Sequence, residues 1–309
     1  MDGGHTTLST GQPASPRTFR LSEGVTGLLL VLPAVLLLAA LTVYPVIYGA
    51  WISVFNKHSF FPEQTFVGLG NYAYVLTDPQ FWESVRLGCI YAFASIVLQI
   101  GLGVAAALVV NEAFPGRNIV RSILIFPYVI PTVVAVILWK WLLNSQFGLI
   151  NYLLEDAGLI DQPISWMGKD WIMASLILVS VWQFFPFVVL GVLARLQSIP
   201  NELYEAAAID GANAVQRFVH VTLPQLKAVL FVVILLRSIW MFTKFDTPWL
   251  MILGGGAETY IRTLPIYTYQ RTFAYYEAGI GAAMALLMFL MLAAATAIYF
   301  RLFRREEAL

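Results

Sequence analysis

Two sets of residues could handle a polar molecule, and both sit inside apolar sequence. Arg237, Trp240, Met241 and Lys244 follow an i, i+3, i+4, i+7 pattern, which places them on one face of a helix. Ser180, Gln183, Phe184 and Phe187 repeat the pattern earlier in the chain, with Trp182 beside them. Arg and Lys supply hydrogen-bond donors only, whereas Ser and Gln supply donors and acceptors. Trp and Phe add flat apolar faces. This mixture suits holding a polar ligand rather than making or breaking a bond. Packing offers a second reading of Phe184, Phe187 and Met241. Arg237 could reach toward the aqueous boundary, and Lys244 could neutralise Asp246, although i, i+2 residues of a regular helix do not face each other.

Bond-making chemistry finds no support. His5, His58 and His220 are far apart and in no metal-spaced motif, and Cys89 stands alone. No catalytic residue and no metal ligand set is expected. A phosphate-cradling loop needs G-x-x-x-x-G-K-[ST], and no match occurs; Gly254-Gly255-Gly256 reads as a flexible turn. The formal net charge is zero, so no basic field invites nucleic acid.

The elements that must position these residues are membrane helices. The chain is 59% hydrophobic and 12% charged, against about 25% charged in a soluble domain. A membrane helix needs about 20 mostly apolar residues. Runs over 24–56, 87–111, 122–139, 171–194, 226–253 and 278–300 give six transmembrane helices in an all-α membrane protein. The fifth is interrupted by Arg237, Lys244 and Asp246. Charged groups at such depth usually face a bundle interior or a wet path. Lys and Arg favour cytoplasmic loops. Arg17, Arg20, Arg117, Arg121, Arg195, Arg217, Lys227, Arg301, Arg304 and Arg305 then lie inside, with both termini. Trp51, Trp82, Trp139, Trp141, Trp166, Trp171 and Trp249 fall at outer span ends or in outer loops, where Trp is favoured. Trp182 and Trp240 fall near the midplane.

Between the fourth and fifth spans lies EAAAIDGANAVQRFVHVTLP, Glu205 to Pro224. Ser198 can cap a helix, with Pro200 in its first turn. Leu203, Ala206 and Ala207 recur at helical spacing. Gly211 suits a left-handed residue that ends the helix. Asn213 and Gln216 form a capping box for a second helix, whose apolar face is Val215, Phe218 and Val219. Pro224 suits the first turn of the next span. The residues alone allow a connector packed on its own bundle or a docking surface; the length of the segment, against the ~2–8 residues that usually join neighbouring helices, weighs against the first.

Here the sequence resembles a family. Glu205-Ala206-Ala207, Gly211 and Val221-Thr222-Leu223-Pro224 reproduce the E-A-A loop of ATP-binding-cassette importer permeases, with Val where Ile is usual. F-V-G-L-G-N-Y, D-P-Q-F-W-E-S and L-G-G-G are similar to permeases of the maltose and glycerol-phosphate class; L-G-G-G-A replaces the commoner T-G-G-G-P. The resemblance covers roughly residues 20–305 and implies a MetI-like transmembrane domain. It implies a cytoplasmic coupling loop over 198–224, in which Glu205, Ala206, Ala207, Asp210 and Gly211 dock on a separate ATPase. The implied partners are a second permease in a heterodimer, an ATPase dimer holding ATP and Mg, and an extracytoplasmic substrate-binding protein; this chain holds no cofactor. It further implies that Ser180, Gln183, Phe184, Phe187, Arg237, Trp240, Met241 and Lys244 match sugar-contacting positions, with Trp182 and Asp246 adjoining them. The implied site is the bacterial or archaeal cytoplasmic (inner) membrane.

The expected layout is a cytoplasmic tail (1–23), a first transmembrane helix with its outer loop (24–83), the permease domain (84–303) and a second tail (304–309). On a straight helix Arg237 and Lys244 stand ~10 Å apart along the axis, a fit for opposite ends of a sugar with Trp240 on its face. Two cations without acceptors raise an alternative cargo, an anionic sugar or sugar phosphate. An ion-coupled secondary transporter is the competing class. It would call for intramembrane acids, of which only Asp246 qualifies, and for inverted repeats, which are not evident.

Overall fold

Apolar runs in lipid can satisfy their backbone only as helices, and the computed structural model is helical almost throughout. It describes residues 22–253 and 257–307. Most of the expected N-terminal tail and the Gly254–Gly256 cluster lie outside the described residues. By their contacts the residues divide into two units, one ending at Tyr48 and one beginning at Gly49. The first unit holds α1 (Glu23–Leu38), whose first turn is capped by the Ser22 side chain, and a π turn at Ala39–Val43. With α2 (Tyr44–Ile52) this run is long and apolar enough to cross a membrane.

The second unit continues through a hairpin, β1 (Phe55–Lys57) and β2 (Gln64–Phe66), with Phe55 opposite Phe66. Then come α3 (Gly70–Thr77), α4 (Pro79–Asn111), α5 (Arg117–Val129), α6 (Thr132–Leu142), α7 (Leu149–Asp156) and α8 (Ile172–Leu196). The segment after α8 holds α9 (Asn201–Ile209) and α10 (Ala214–Arg217). It leads into α11 (Leu223–Phe242), α12 (Asp246–Ile252), α13 (Glu258–Ile261), α14 (Leu264–Tyr269) and α15 (Ala278–Glu307). α15 runs past residue 303, where the permease domain was expected to end.

Among the described residues five helical stretches are long and apolar enough to span; a sixth exists only if α5 and α6 count as one. The third predicted span is therefore not one straight helix. α5 and α6 meet at 100°. Pro131 explains the break: the residue before a proline is driven to extended backbone, and Ile130 sits at φ −70°, ψ 131°. The fifth predicted span lies within the candidate span Ala214–Ile252 but is interrupted. α11 ends at Phe242, and α12 restarts at Asp246.

α4 and α8 make the most extensive helix pairing, and α11 packs against both. Lipid gives no hydrophobic drive to helix association, so close contact depends on small residues. α4 provides them: Ser84, Gly88, Ala92, Ser95, Gly103 and Ala107, with Gln99 between Ser95 and Gly103, form a buried stripe with a residue every three or four positions. A Cβ on Gly103 would come within 2.5 Å of Val188 Cβ on α8. Around this stripe pack Tyr91, Leu176, Val179 and Met241 toward one end and Val188, Val192, Leu226 and Val233 toward the other.

A charged cluster ties α3 and α4 to the start of α15. Arg271 donates to Asp78 (3.2 Å), Glu277 (2.7 Å), the Tyr74 hydroxyl (2.8 Å) and the Tyr267 hydroxyl (3.0 Å). Tyr267 in turn donates to Asp78. Burial pushes the Asp78 carboxyl up, but hydrogen bonds from Tyr267, the Gln80 amide and Arg271 outweigh it and hold the group below its ordinary value. Burial, and the bond it gives Asp78, push the Tyr267 phenol up to about 12.

Two outcomes follow. Gly103→Val forces α4 from α8 and is expected to cost about 1–3 kcal/mol, read as a lower thermal midpoint in detergent. Asp78→Asn removes a group whose folded pKa is depressed. The wild type should be the more stable above the unfolded carboxylate value of about 3.9, and its advantage should fade as pH drops through the folded value. Thermal unfolding of both proteins between pH 7 and pH 3 checks this; a gap that stays constant refutes it.

Candidate functional site

A chain of polar groups crosses the bundle at the junction of α4, α8 and α11. The Tyr91 and Ser180 hydroxyls are 2.7 Å apart. Gln99 Nε2 donates to the Ser180 carbonyl at 3.2 Å and contacts the Met241 sulfur at 3.6 Å. Arg237 Nε donates to Gln99 Oε1 at 2.8 Å. Tyr91, Gln99 and Ser180 have no exposed surface, and Arg237 is only 2% exposed. Its Nη2 is buried and has no hydrogen-bond partner. Among the described residues Arg237 makes no ion pair, while Lys244, Arg86 and Arg271 each find a carboxylate.

Aromatic rings cover the guanidinium instead. Its Cζ lies 4.8 Å from the Phe184 centroid, 5.8 Å from Trp240 and 6.0 Å from Phe187. Phe187 and Trp240 meet edge to face at 5.2 Å, and Tyr128 stands 6.1 Å from Phe187. Desolvated cation–π contacts of this kind are worth about 0.5–2 kcal/mol each. They soften the cost of burying the charge without cancelling it.

Lys244 does not continue the α11 face. The helix has ended at Phe242, so the straight-helix separation from Arg237 does not apply. The turn at Thr243–Phe245 swings Lys244 back onto Asp246, with Nζ 3.0 Å from Oδ1. This i, i+2 pair forms because the backbone there is not a regular helix. Lys244 still touches the site, its Nζ being 4.4 Å from the Phe184 centroid.

Ser180, Phe184, Phe187, Arg237, Trp240, Met241 and the Lys244–Asp246 pair therefore come together. Two expected members face elsewhere. Trp182 packs edge to face on Trp139 of α6 at 5.5 Å. Gln183 donates to the Ile130 carbonyl (3.2 Å) and to Thr132 (3.3 Å), serving backbone at the α5–α6 break. Tyr91 and Gln99 were missed by the sequence reading. Their signal was polar residues at i, i+4, i+8 (Tyr91, Ser95, Gln99) inside the small-residue stripe of α4.

The segment between α8 and α11 is built from local capping. Ser198 does not cap α9. Its hydroxyl donates to the Arg195 carbonyl at 2.8 Å, and Pro200 takes the N-cap position. α9 carries Glu205, Ala206 and Ala207 and ends at Ile209, with Asp210 at its C-cap. Gly211 has φ +78°, a conformation strained for residues with a Cβ. The Asn213–Gln216 capping box is present, with bonds of 2.9 and 2.8 Å. The second helix is not separate from the span. α10 passes through a π turn at Phe218–Thr222 into α11, and that wider turn accommodates Pro224, which cannot donate to a carbonyl one turn back. No residue of α9 or α10 is buried; Ile209 is 87% and Val215 71% exposed. Glu205, Ala206, Asp210 and Gly211 are exposed, and Ala207 is half-buried.

Comparisons with known proteins agree with this architecture. Residues 99–307 match the family described as binding-protein-dependent transport system inner membrane component. The chain is 37% identical over 290 residues to the trehalose/maltose transport system permease protein MalF of Thermococcus litoralis, covering 92% of this chain and 96% of that one. It is 33% identical over 298 residues to the sulfoquinovosyl glycerol transport system permease protein SmoG of Agrobacterium fabrum, covering 96% of both. Its fold is similar to that of a bacterial importer of the acidic polysaccharide alginate, with a TM-score of 0.80 at 19% identity, covering 91% of this chain and 96% of that one. The chain thus belongs to the binding-protein-dependent transport system inner membrane components, as a permease subunit of an ATP-binding-cassette importer whose ATPase is a separate polypeptide.

Proposed function

We propose that this permease forms half of the translocation path for a sugar or sugar derivative, as the names of its relatives suggest. A second, different permease supplies the other half. An ATPase dimer docks on residues 198–224, and an extracytoplasmic binding protein delivers the cargo. Both termini and the docking segment are cytoplasmic on this reading. The path is lined by Ser180, Phe184, Phe187, Arg237, Trp240 and Met241, with the Lys244–Asp246 pair and Gln183 at its margin; Trp182 belongs to the wall behind it. The observation that supports the path best is the polar chain through Tyr91, Ser180, Gln99 and Arg237, walled by aromatic rings at the meeting of three spans. Polar groups placed so deep are expensive and mark pathways more often than scaffolding. Docking is supported by Ile209 and Val215, large apolar residues exposed in α9 and at the first turn of the helix that leads into α11.

Topology is checked by single cysteines in a Cys89-free background. Those at Ser59, Ser165 and Thr259 should react with an impermeant thiol reagent in intact cells; labelling of a cysteine at Ser198 or Ala214 from outside contradicts the orientation. Docking is checked by Gly211→Val and Ile209→Glu. A β-branched residue at positive φ costs on the order of 1–3 kcal/mol, and a carboxylate at position 209 cannot enter an apolar cleft. Each should reduce ATPase copurifying with the permease pair about tenfold while leaving the binding protein's affinity for its cargo unchanged. Normal copurification and normal stimulated ATPase in both variants would sink the docking assignment.

A further inference from the structure

We propose that the cargo carries an anionic substituent (a sulfonate, carboxylate or phosphate) and that Arg237, oriented by Gln99, recognises it. The inference rests on α4, α8 and α11 lining the path. The pair of cations that the sequence offered reduces to one, because Lys244 is already matched by Asp246 at 3.0 Å. Arg237 is 2% exposed and, among the described residues, has no carboxylate partner. A guanidinium stays charged in a protein. A neutral cargo gives no reason to keep such a charge between membrane helices, since Gln or Asn would donate to sugar hydroxyls without it.

Gln99 explains how the charge is aimed. The Ser180 carbonyl only accepts, so it fixes which end of the Gln99 amide points toward it: Nε2 donates there at 3.2 Å. Gln99 Oε1 is thereby turned to Arg237 and takes Nε at 2.8 Å. A neutral amide holds the guanidinium without neutralising it. The terminal nitrogens are left for a second partner, and Nη2 has none. Such a fork matches the oxygen geometry of a carboxylate or phosphate. The rings of Phe184, Phe187 and Trp240 close over it at 4.8–6.0 Å. Trp240 is itself 41% exposed. A sugar ring can stack there while its charged group reaches Arg237 as Phe184 and Phe187 turn aside. Gln99 is thus a positioning residue, and Arg237 the residue that touches cargo.

The test uses the complete importer in liposomes, with both permeases, the ATPase and the binding protein. The probes are trehalose and maltose, and the same sugars bearing a 6-carboxylate or a 6-sulfonate. Binding-protein affinity is measured for each, so that uptake is scored per bound probe. A charged probe should be imported at least tenfold faster than its neutral parent. Arg237→Gln should lose that preference. Gln99→Glu supplies an internal counter-ion, so the complex should assemble normally and yet lose charged uptake at least tenfold. Gln99→Leu should lose part of it, and Arg237→Lys should retain part. Binding-protein-stimulated ATPase is measured alongside uptake in every variant, and uptake is scored per ATP hydrolysed, so that lost coupling is told apart from lost recognition of the charge. Import of charged and neutral probes at equal rate by the wild type, or a charge preference that Arg237→Gln keeps, overturns the proposal. Arg237→Gln that lowers the yield of assembled complex, with uptake per complex unchanged, also overturns it and assigns the missing anion to the second permease. Charged uptake unchanged in Gln99→Glu removes Gln99 from the role. Loss of uptake in Trp240→Ala and Phe187→Ala, but not in Arg237→Gln, refutes the anion alone; insensitivity of all three refutes the path on which it rests.

Discussion

A guanidinium buried between membrane helices constrains everything packed around it. Arg237 cannot lose its proton, and lipid offers it nothing. The fold answers with one directed hydrogen bond, donated by Arg237 to Gln99, and three aromatic faces. Each provider needs an element at a set distance. Gln99 must come from α4, Phe184 and Phe187 from α8, and Trp240 from the turn after Arg237 itself. The close approach of α4 to α8 at Gly103 and Ala107 lets the Gln99 amide bridge Ser180 and Arg237. Small residues in the stripe are therefore part of the site, although none of them touches the charge.

Breaks in the helices do the remaining positioning. At Ile130–Pro131 the chain turns by 100°, and Gln183 is drawn to the freed backbone rather than to the Arg237 cluster. At Thr243–Phe245 the chain leaves the helix, and Lys244 folds onto Asp246. Irregular backbone at membrane depth is tolerated only where it is buried or lines a wet cavity. Both breaks lie beside the polar chain, which agrees with a path there. They also separate the two cations chemically: one has its own counter-ion, and the other has an amide and π-faces.

Features that depend on near neighbours were legible in the sequence. Hydropathy located the spans because lipid imposes length and composition on each one alone. The Asn213–Gln216 box and the positive φ at Gly211 were legible because a cap is satisfied within three or four residues. Ser198 misled: its hydroxyl found the carbonyl of Arg195 behind it before the amides ahead of it. Long-range partners were not legible. Arg271 and Asp78 are 193 positions apart, and Gln99 and Arg237 are 138 apart. Periodicity could place Arg237, Trp240 and Met241 on one face, and Tyr91, Ser95 and Gln99 on another. It could not show that the two faces meet. Nor could it show that the helix ends before Lys244, since Thr-Lys-Phe contains no proline or glycine to announce the break.

The exposed segment after α8 and the buried arginine share a single mechanical element. From the capping box at Asn213 the helix runs through the π turn into α11 and reaches Arg237 with no non-helical residue between. At 1.5 Å per residue this is on the order of 35 Å. A helix with its ladder intact transmits displacement along its axis better than a loop would. The π turn at Phe218–Thr222 is the one place where the ladder widens, and it sits where α11 leaves the exposed segment. Tyr204 of α9 reaches across to Thr222 in that turn, their hydroxyls 3.1 Å apart. A displacement of α9 therefore has two routes into α11, through the Gly211 turn and through this hydroxyl pair. Both lead along one rod to the guanidinium and its aromatic cover. A shift of α11 past α4 strains the 2.8 Å bond to Gln99 directly, so the grip on Arg237 and the position of the exposed segment are set by the same helix.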